Sequence, residues 1–236
     1  MTDMLQLEDS GGVLAVEHSQ VPAGWEGEAA DHEAADHGYY VIEGELTVRL
    51  GAEPAHLRPG GLLFAPRGVP HTVANAGDGP GRYVVFEAPA PEADADLPAK
   101  LVEDVPGRVK VVLRGADSGG RIALMDTVVP AGEKGPPLHH HDFDELFYIL
   151  EGEATFQLGE DLVVRRAGEL VWAPRGAHHT FANQSDGDIR WLLMCTPSGF
   201  ERYFQRMAAK EAGVDPPPEA LEPWPEVTVV GAPIGE

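Results

Sequence analysis

Apolar positions along this chain fall in short runs that alternate with polar ones and stop at glycine, proline or asparagine, the two-residue period of half-buried strands. In the second half the runs predict strands near residues 121–129, 145–150, 153–158, 161–166, 170–173, 178–182 and 189–195. The run Tyr148 to Phe156 reads as a hairpin turning at Glu151-Gly152, where glycine supplies the positive φ of a tight turn, and Tyr40 to Val48 repeats it. Helical periodicity is confined to one stretch. Ser198-Gly199-Phe200-Glu201 has capping-box spacing, Phe200, Tyr203, Phe204, Met207 and Ala208 share one face, and Gly213 is placed to end the helix. Beyond Pro216-Pro217-Pro218, residues Glu226 to Val230 read as an edge strand. The pattern predicts an all-β protein of antiparallel barrels with one short helix near the C-terminal end.

Shifting the sequence by 108 residues lays the first half over the second without a gap, with 34 identities among the 81 positions from 9 to 89. Asp9-Ser10-Gly11-Gly12 returns as Asp117-Ser118-Gly119-Gly120, and Ala65-Pro66-Arg67-Gly68 as Ala173-Pro174-Arg175-Gly176, with His71 over His179 and Asn75 over Asn183. The chain is therefore a duplication. Its expected domains are residues 1–97 and 98–236, joined through the Pro-, Ala- and acid-rich stretch Glu87 to Asp104.

Composition narrows the function. Seventeen basic residues against 39 acidic ones leave a net charge of −22, a field that repels phosphate backbones and anionic lipid, so neither nucleic acid nor membrane is expected as a partner. No apolar run approaches the roughly 20 residues of a spanning helix, and Met1 to Gln6 lack a signal-peptide pattern, which leads to the expectation of a cytoplasmic protein. Cys195 is the single cysteine, so no internal disulfide forms, and it reads as a small buried apolar residue rather than a nucleophile.

The chemistry concentrates in His139-His140-His141-Asp142-Phe143-Asp144-Glu145 and in His179. On an extended strand His139 and His141 face one way, about 7 Å apart, and Glu145 has the same parity. The turn formers Pro174 and Gly176 deliver His179 onto a returning strand. Three imidazoles and one carboxylate suit a divalent Fe, Mn, Ni, Co, Cu or Zn ion better than Ca or Mg, without choosing among them. His140 and His178 fall out of register with this set, and Asn183 is expected to secure the barrel mouth. Phe147 and Ile149 share parity with Glu145 and Phe181 with His179; with Phe156, Trp172 and Trp191 they make a candidate apolar pocket for a small flat molecule. In the first copy the corresponding positions hold Asp31, Glu33, His37 and His71, with His32 beside them. That set is either a remodelled two-histidine, two-carboxylate metal centre or a scaffold whose site decayed.

These motifs resemble the cupins. His139, His141, Glu145 and Gly152 match the family's first motif, and Gly168, Pro174, Gly176, His179 and Asn183 its second, with Gly132 one residue further from His139 than the usual opening glycine. The duplication makes the resemblance one to a bicupin, two tandem jelly-roll barrels. It implies that His139, His141, Glu145 and His179 hold a metal and that a small molecule is the substrate; further pairing into a homodimer is common among such proteins. Leu138 to Asn183 is most similar to the quercetinase-like dioxygenases, which implies that Glu145 also acts as a base on a phenolic substrate hydroxyl. A metal-dependent isomerase, lyase or cyclase of small-molecule metabolism, or a non-catalytic small-molecule-binding protein, are the alternatives.

Overall fold

The computed structural model describes residues 2–30, 32–50, 53–90, 97–103 and 107–235. It divides into two compact units, Met1–Pro106 with Ala116–Arg121, and Gly107–Gly115 with Ile122–Glu236. The division expected at residue 97 is displaced. Lys100–Val102 is a strand rather than linker, and residues 116–121 belong with the first unit through the Lys100–Asp117 pair at 2.5 Å and the Arg121–Asp36 pair at 2.6 Å. Residues 91–96 and 104–106 of the expected linker lie outside the described residues.

The first unit contains β1 (Thr2–Leu5), β2 (Ala15–Val21), β3 (Ala35–Glu43), β4 (Leu46–Arg49), β5 (Pro54–Leu57), β6 (Leu62–Ala65), β7 (Thr72–Ala74), β8 (Gly81–Pro89) and β9 (Lys100–Val102). One sheet runs β1-β2-β8-β3-β6-β9 and the other β5-β4-β7. Val21, Val41, Leu46, Val48, Leu63, Val73 and Tyr83 fill the space between them.

The second unit contains β10 (Val109–Leu113), β11 (Ala123–Val129), β12 (His139–His141), β13 (Asp144–Glu151), β14 (Glu153–Leu158), β15 (Asp161–Arg166), β16 (Leu170–Ala173), β17 (His179–Ala182), β18 (Ile189–Thr196), the helix α1 (Glu201–Ala212) and β19 (Val227–Val229). Its sheets run β10-β11-β18-β13-β16 and β15-β14-β17-β12-β19, every pair antiparallel. Each expected strand of this half is present within a few residues, the edge strand at 227–229 included. Strand β10 was not foreseen. The hairpin turns where expected, with Gly152 at φ 83 and a hypothetical Cβ there only 2.7 Å from the Asp188 carbonyl, so glycine is required twice over.

On β18, Ile189, Trp191, Leu193 and Cys195 point into the core between the sheets, while Leu192 and Met194 are buried on the opposite face. A strand covered on both sides reads as a continuous apolar run, which is how it stands in the sequence. Helix α1 differs from expectation at its start. Phe200 is its N-cap and no side chain caps it; Glu201 turns back instead and accepts from the Gly115 and Gly199 backbone N–H groups. Gly213, at φ 67, ends it. The expected apolar stripe is divided: Phe200 and Phe204 pack on the core, whereas Tyr203 lies beside Trp224 and Met207 is half exposed. Among the described residues no helix is long and apolar enough to cross a membrane.

Candidate metal centre

The three histidines are placed by backbone pairing. His139 is opposite His179 across β12 and β17, and β19 covers the other edge of β12, setting Val229 against His139 and Val227 against His141. Asp142 and Phe143 then bend the chain out of this sheet, and Glu145 enters on β13 in the facing sheet. The single strand expected to carry His139, His141 and Glu145 is thus broken. The donors converge because the inner faces of two sheets oppose one another, not because they share one strand's parity. All four side chains are buried, and one donor atom from each lies within 4.8 Å of the others.

The hydrogen bonds settle which nitrogen each ring presents. His139 Nδ1 lies 2.8 Å from the Pro137 carbonyl, His141 Nδ1 2.8 Å from that of Phe143, and His179 Nδ1 2.9 Å from that of Ala177. A carbonyl only accepts, so each Nδ1 carries the hydrogen and each Nε2 turns a lone pair inward. Glu145 Oε2 stands 3.0 Å from His179 Nε2 and 3.3 Å from His141 Nε2. Lone pair against carboxylate is repulsive unless a positive charge sits between them, either a proton on an imidazole or a cation shared by all four groups.

Burial alone would raise the Glu145 carboxyl, but the His141 and His179 imidazoles beside it bring it down to about 2. Burial lowers His179, and the hydrogen bond and charge of Glu145 outweigh that and raise it. His139 is lowered, chiefly by burial, which keeps it neutral and able to ligate. The donor types, their burial and the fixed inward Nε2 atoms fit a divalent transition metal. Cys195 Sγ donates to Glu145 Oε1 at 3.9 Å; burial and then the Glu145 charge push its thiol well up, so it stays protonated.

Of the expected pocket residues, Phe147, Ile149, Phe156 and Trp191 lie in the core and Phe181 packs against it, with Phe181 and Trp191 rings 4.8 Å apart. Trp172 does not join them. Its neighbours Val171 and Ala173 point into the core, so the alternation of β16 sends its indole to the other face, opposite Leu146. Phe143, not singled out from the sequence, stacks on His141 at 3.6 Å. Trp191 also brings a polar group to this space: its indole Nε1 and the hydroxyl of Thr127, a residue not singled out from the sequence, are buried without a hydrogen-bond partner among the described residues, and the two are cross-strand neighbours. His140 and His178 stack on each other at 5.3 Å, away from the donors. The Asn183 side-chain amide donates to the carbonyls of Val129, Pro130 and Gly187 and so secures the loops.

The first unit places its groups differently from expectation. Asp31 lies outside the described residues, and Glu33 is exposed in the turn before β3 and is not part of the donor group found among the described residues. His37 and His71 are buried. The groups that come together are His32, His37 and Glu87, within 4.8 Å of one another. Glu87 belongs to β8, and its repeat partner is Cys195, which hid it from a comparison of the histidine motifs alone.

A model of the cupin domain matches residues 17–87 and again 125–195, most of the chain, so this protein belongs to the cupin family and is a bicupin. A curated relative, the tetracenomycin polyketide synthase protein TcmJ of Streptomyces glaucescens, is 42% identical over 65 residues, covering 26% of this chain and 43% of its own. This chain spans about half the length of the curated relatives it matches. Among solved structures, AerE from Microcystis aeruginosa superposes with a TM-score of 0.64 at 18% identity, covering 78% of this chain and 87% of the other. Oxalate decarboxylase of Lactobacillus farciminis, as a formate complex, has a TM-score of 0.64 at 16% identity and covers 94% and 90%. At these identities the likeness is one of fold, and the bicupin architecture is what it shows.

Proposed function

We propose that the second unit is a metal-dependent enzyme acting on a small aromatic or phenolic molecule, with dioxygen as co-substrate. The observation that carries this reading is the set His139, His141, Glu145 and His179: buried, tautomerically fixed, and set in a sandwich lined by aromatic rings. When bound, a transition metal supplies Lewis acidity and, for most candidate ions, one-electron redox chemistry. The Glu145 carboxylate is the group that accepts the proton of a substrate hydroxyl. Its charge is already held there by the neighbouring imidazoles, and Cys195 keeps Oε1 engaged. Phe147, Phe156 and Phe181 exclude water and bracket a planar ring. Trp191 Nε1 and Thr127 Oγ1 offer a polar end to that apolar space. In the first unit the register pair equivalent to Thr127 and Trp191 is Ser19 and Tyr83, and the Tyr83 hydroxyl is satisfied by the Glu45 carbonyl at 2.7 Å. Among the described residues the buried Trp191 indole N–H of the second unit has no such partner.

The test is oxygen uptake by metal-loaded protein across a panel of flavonols and simpler phenols, with both atoms of labelled dioxygen followed into product. Uptake above a His179→Ala control supports the reading, and its absence with every metal and phenol overturns it. The identity with TcmJ favours one second reading, a cyclase or isomerase acting on a phenolic polyketide at the same residues. That reading predicts a product isomeric with substrate, or differing by water, and formed equally well without air.

A further inference from the structure

We propose that the first unit holds a second divalent transition-metal site of rearranged composition, built from His32, His37 and Glu87 with His71 adjacent. The juxtaposition is direct: His37 Nε2 is 3.1 Å from Glu87 Oε1, the His32 and His37 rings stack at 3.3 Å, and one donor atom from each of the three lies within 4.8 Å of the others. The His71 ring is 5.3 Å from that of His32.

Comparison of the two copies shows how the set was rebuilt. In the second unit the carboxylate is Glu145 on β13, and its register partner on β18 is Cys195. In the first unit the equivalent rung is His37 on β3 opposite Glu87 on β8. The carboxylate has crossed one rung of the ladder and an imidazole stands in its old place, so carboxylate and imidazole still face the same space. The second exchange concerns His32. Its repeat partner His140 faces away from the donors and stacks on His178. His32 instead has φ 37, the left-handed region that a residue with a Cβ seldom occupies, and its ring lies on His37. Among non-glycine residues described, it alone has positive φ. The backbone is thus bent into an unfavourable conformation at the one residue that must be turned inward to complete the set.

Two buried nitrogens around the set are left without partners among the described residues. His71 Nδ1 is fixed by the Val69 carbonyl at 2.9 Å, as His179 is by Ala177, and its Nε2 has no hydrogen-bond partner among the described residues. His37 Nδ1 likewise has none. Both side chains are more than nine-tenths buried, at 4% and 3% exposure, so neither nitrogen is served by bulk water. Two or three imidazoles with one carboxylate match the donor chemistry of Fe, Mn, Co, Ni or Zn, and the partly exposed Glu87 gives the ion a way in.

Cobalt(II) titration of the metal-stripped full chain tests this, read by absorption and by metal per chain after desalting. Wild type should bind two ions. His179→Ala should keep the ion of the first unit, and Glu87→Gln should keep that of the second while the other weakens at least tenfold. His32→Gly, which relieves the backbone while removing the ring, should likewise lose only the first-unit ion. Retention of the second-unit cobalt spectrum in Glu87→Gln and His32→Gly, of the first-unit spectrum in His179→Ala, and of the wild-type circular dichroism in all three shows that each variant is folded. One ion in wild type that disappears in His179→Ala overturns the proposal, as does a Glu87→Gln variant that binds two ions as tightly as wild type. A single wild-type ion that survives His179→Ala but not Glu87→Gln upholds it, and refutes the second-unit centre instead.

Discussion

At the scale of single residues, the second-unit centre depends on where its hydrogens sit. Each Nδ1 is committed to a backbone carbonyl, so the inward Nε2 atoms need a positive charge before Glu145 can lie 3.0 Å from His179. In metal-free protein that charge is a proton. The Glu145 carboxyl, at about 2 in the fold, contributes stability that is full above its ordinary value of 4.5 and lost as pH falls toward 2. The raised His179 contributes stability that is full below 6.5 and lost as pH rises through its raised value. The unfolding free energy of metal-free wild type over Glu145→Gln should therefore peak between pH 4.5 and 6.5 in denaturant titrations and narrow on both sides. The same variant should turn over at least about 100-fold more slowly even when fully loaded with metal, since amide cannot take the proton. Trp191→Phe separates substrate binding from folding. Removing an unsatisfied buried N–H offsets part of the cost of the cavity that the smaller ring leaves, so the melting temperature should fall only modestly, while KM rises roughly tenfold for the loss of about 1.4 kcal/mol in one hydrogen bond.

Elements hold these residues in place, and here the sequence was only partly legible. The two-residue alternation located the expected strands of the second half because half-buried sheets impose that period directly. It misled at Asp142-Phe143, where a bend between sheets preserves the even spacing of His139, His141 and Glu145 and so mimics a single strand. Trp172 failed for a related reason: where both faces of a sheet are buried, an aromatic residue carries no sign of which face it occupies. Glu87 and His32 were beyond the motifs because a cross-strand rung and a positive φ are properties of backbone pairing and conformation. One device recurs in both copies. Asp144 accepts from the Arg175 backbone N–H at 2.9 Å and Asp36 from that of Arg67 at 2.9 Å, each pinning the Pro-Arg-Gly turn that leads to His179 or His71. Asp144→Ala should cost about 1–3 kcal/mol in chemical denaturation, because the turn's N–H loses its acceptor. Strand β19 acts on the same centre from the other side. Val230 N–H donates to the Leu138 carbonyl at 2.8 Å, so Val230→Pro should loosen the edge of β12 and speed metal release in a chelator-exchange assay, with about 1 kcal/mol lost in stability.

On the scale of the whole chain, duplication produced two sandwiches whose ladders agree and whose donor sets do not. The net charge of −22 favours cations around both and disfavours anionic polymers. Metal linkage gives a global readout. An ion at about 100 times its dissociation constant adds roughly 2.7 kcal/mol to the unit that binds it, so chelation should lower the thermal transition of that unit and re-addition should restore it.

The pairing of Val227–Val229 with His139–His141 also imposes an order of events. Translation delivers the chain from its amino end, and His32, His37, His71 and Glu87 have all left the ribosome before β12 is made. The imidazoles of β12 then wait, one flank open, until a strand some 90 residues further on, from 139 to 229, emerges to close it. Ribosome-stalled chains ending shortly before residue 227 should accordingly complete their first sandwich while the second still exchanges its metal freely with the surroundings.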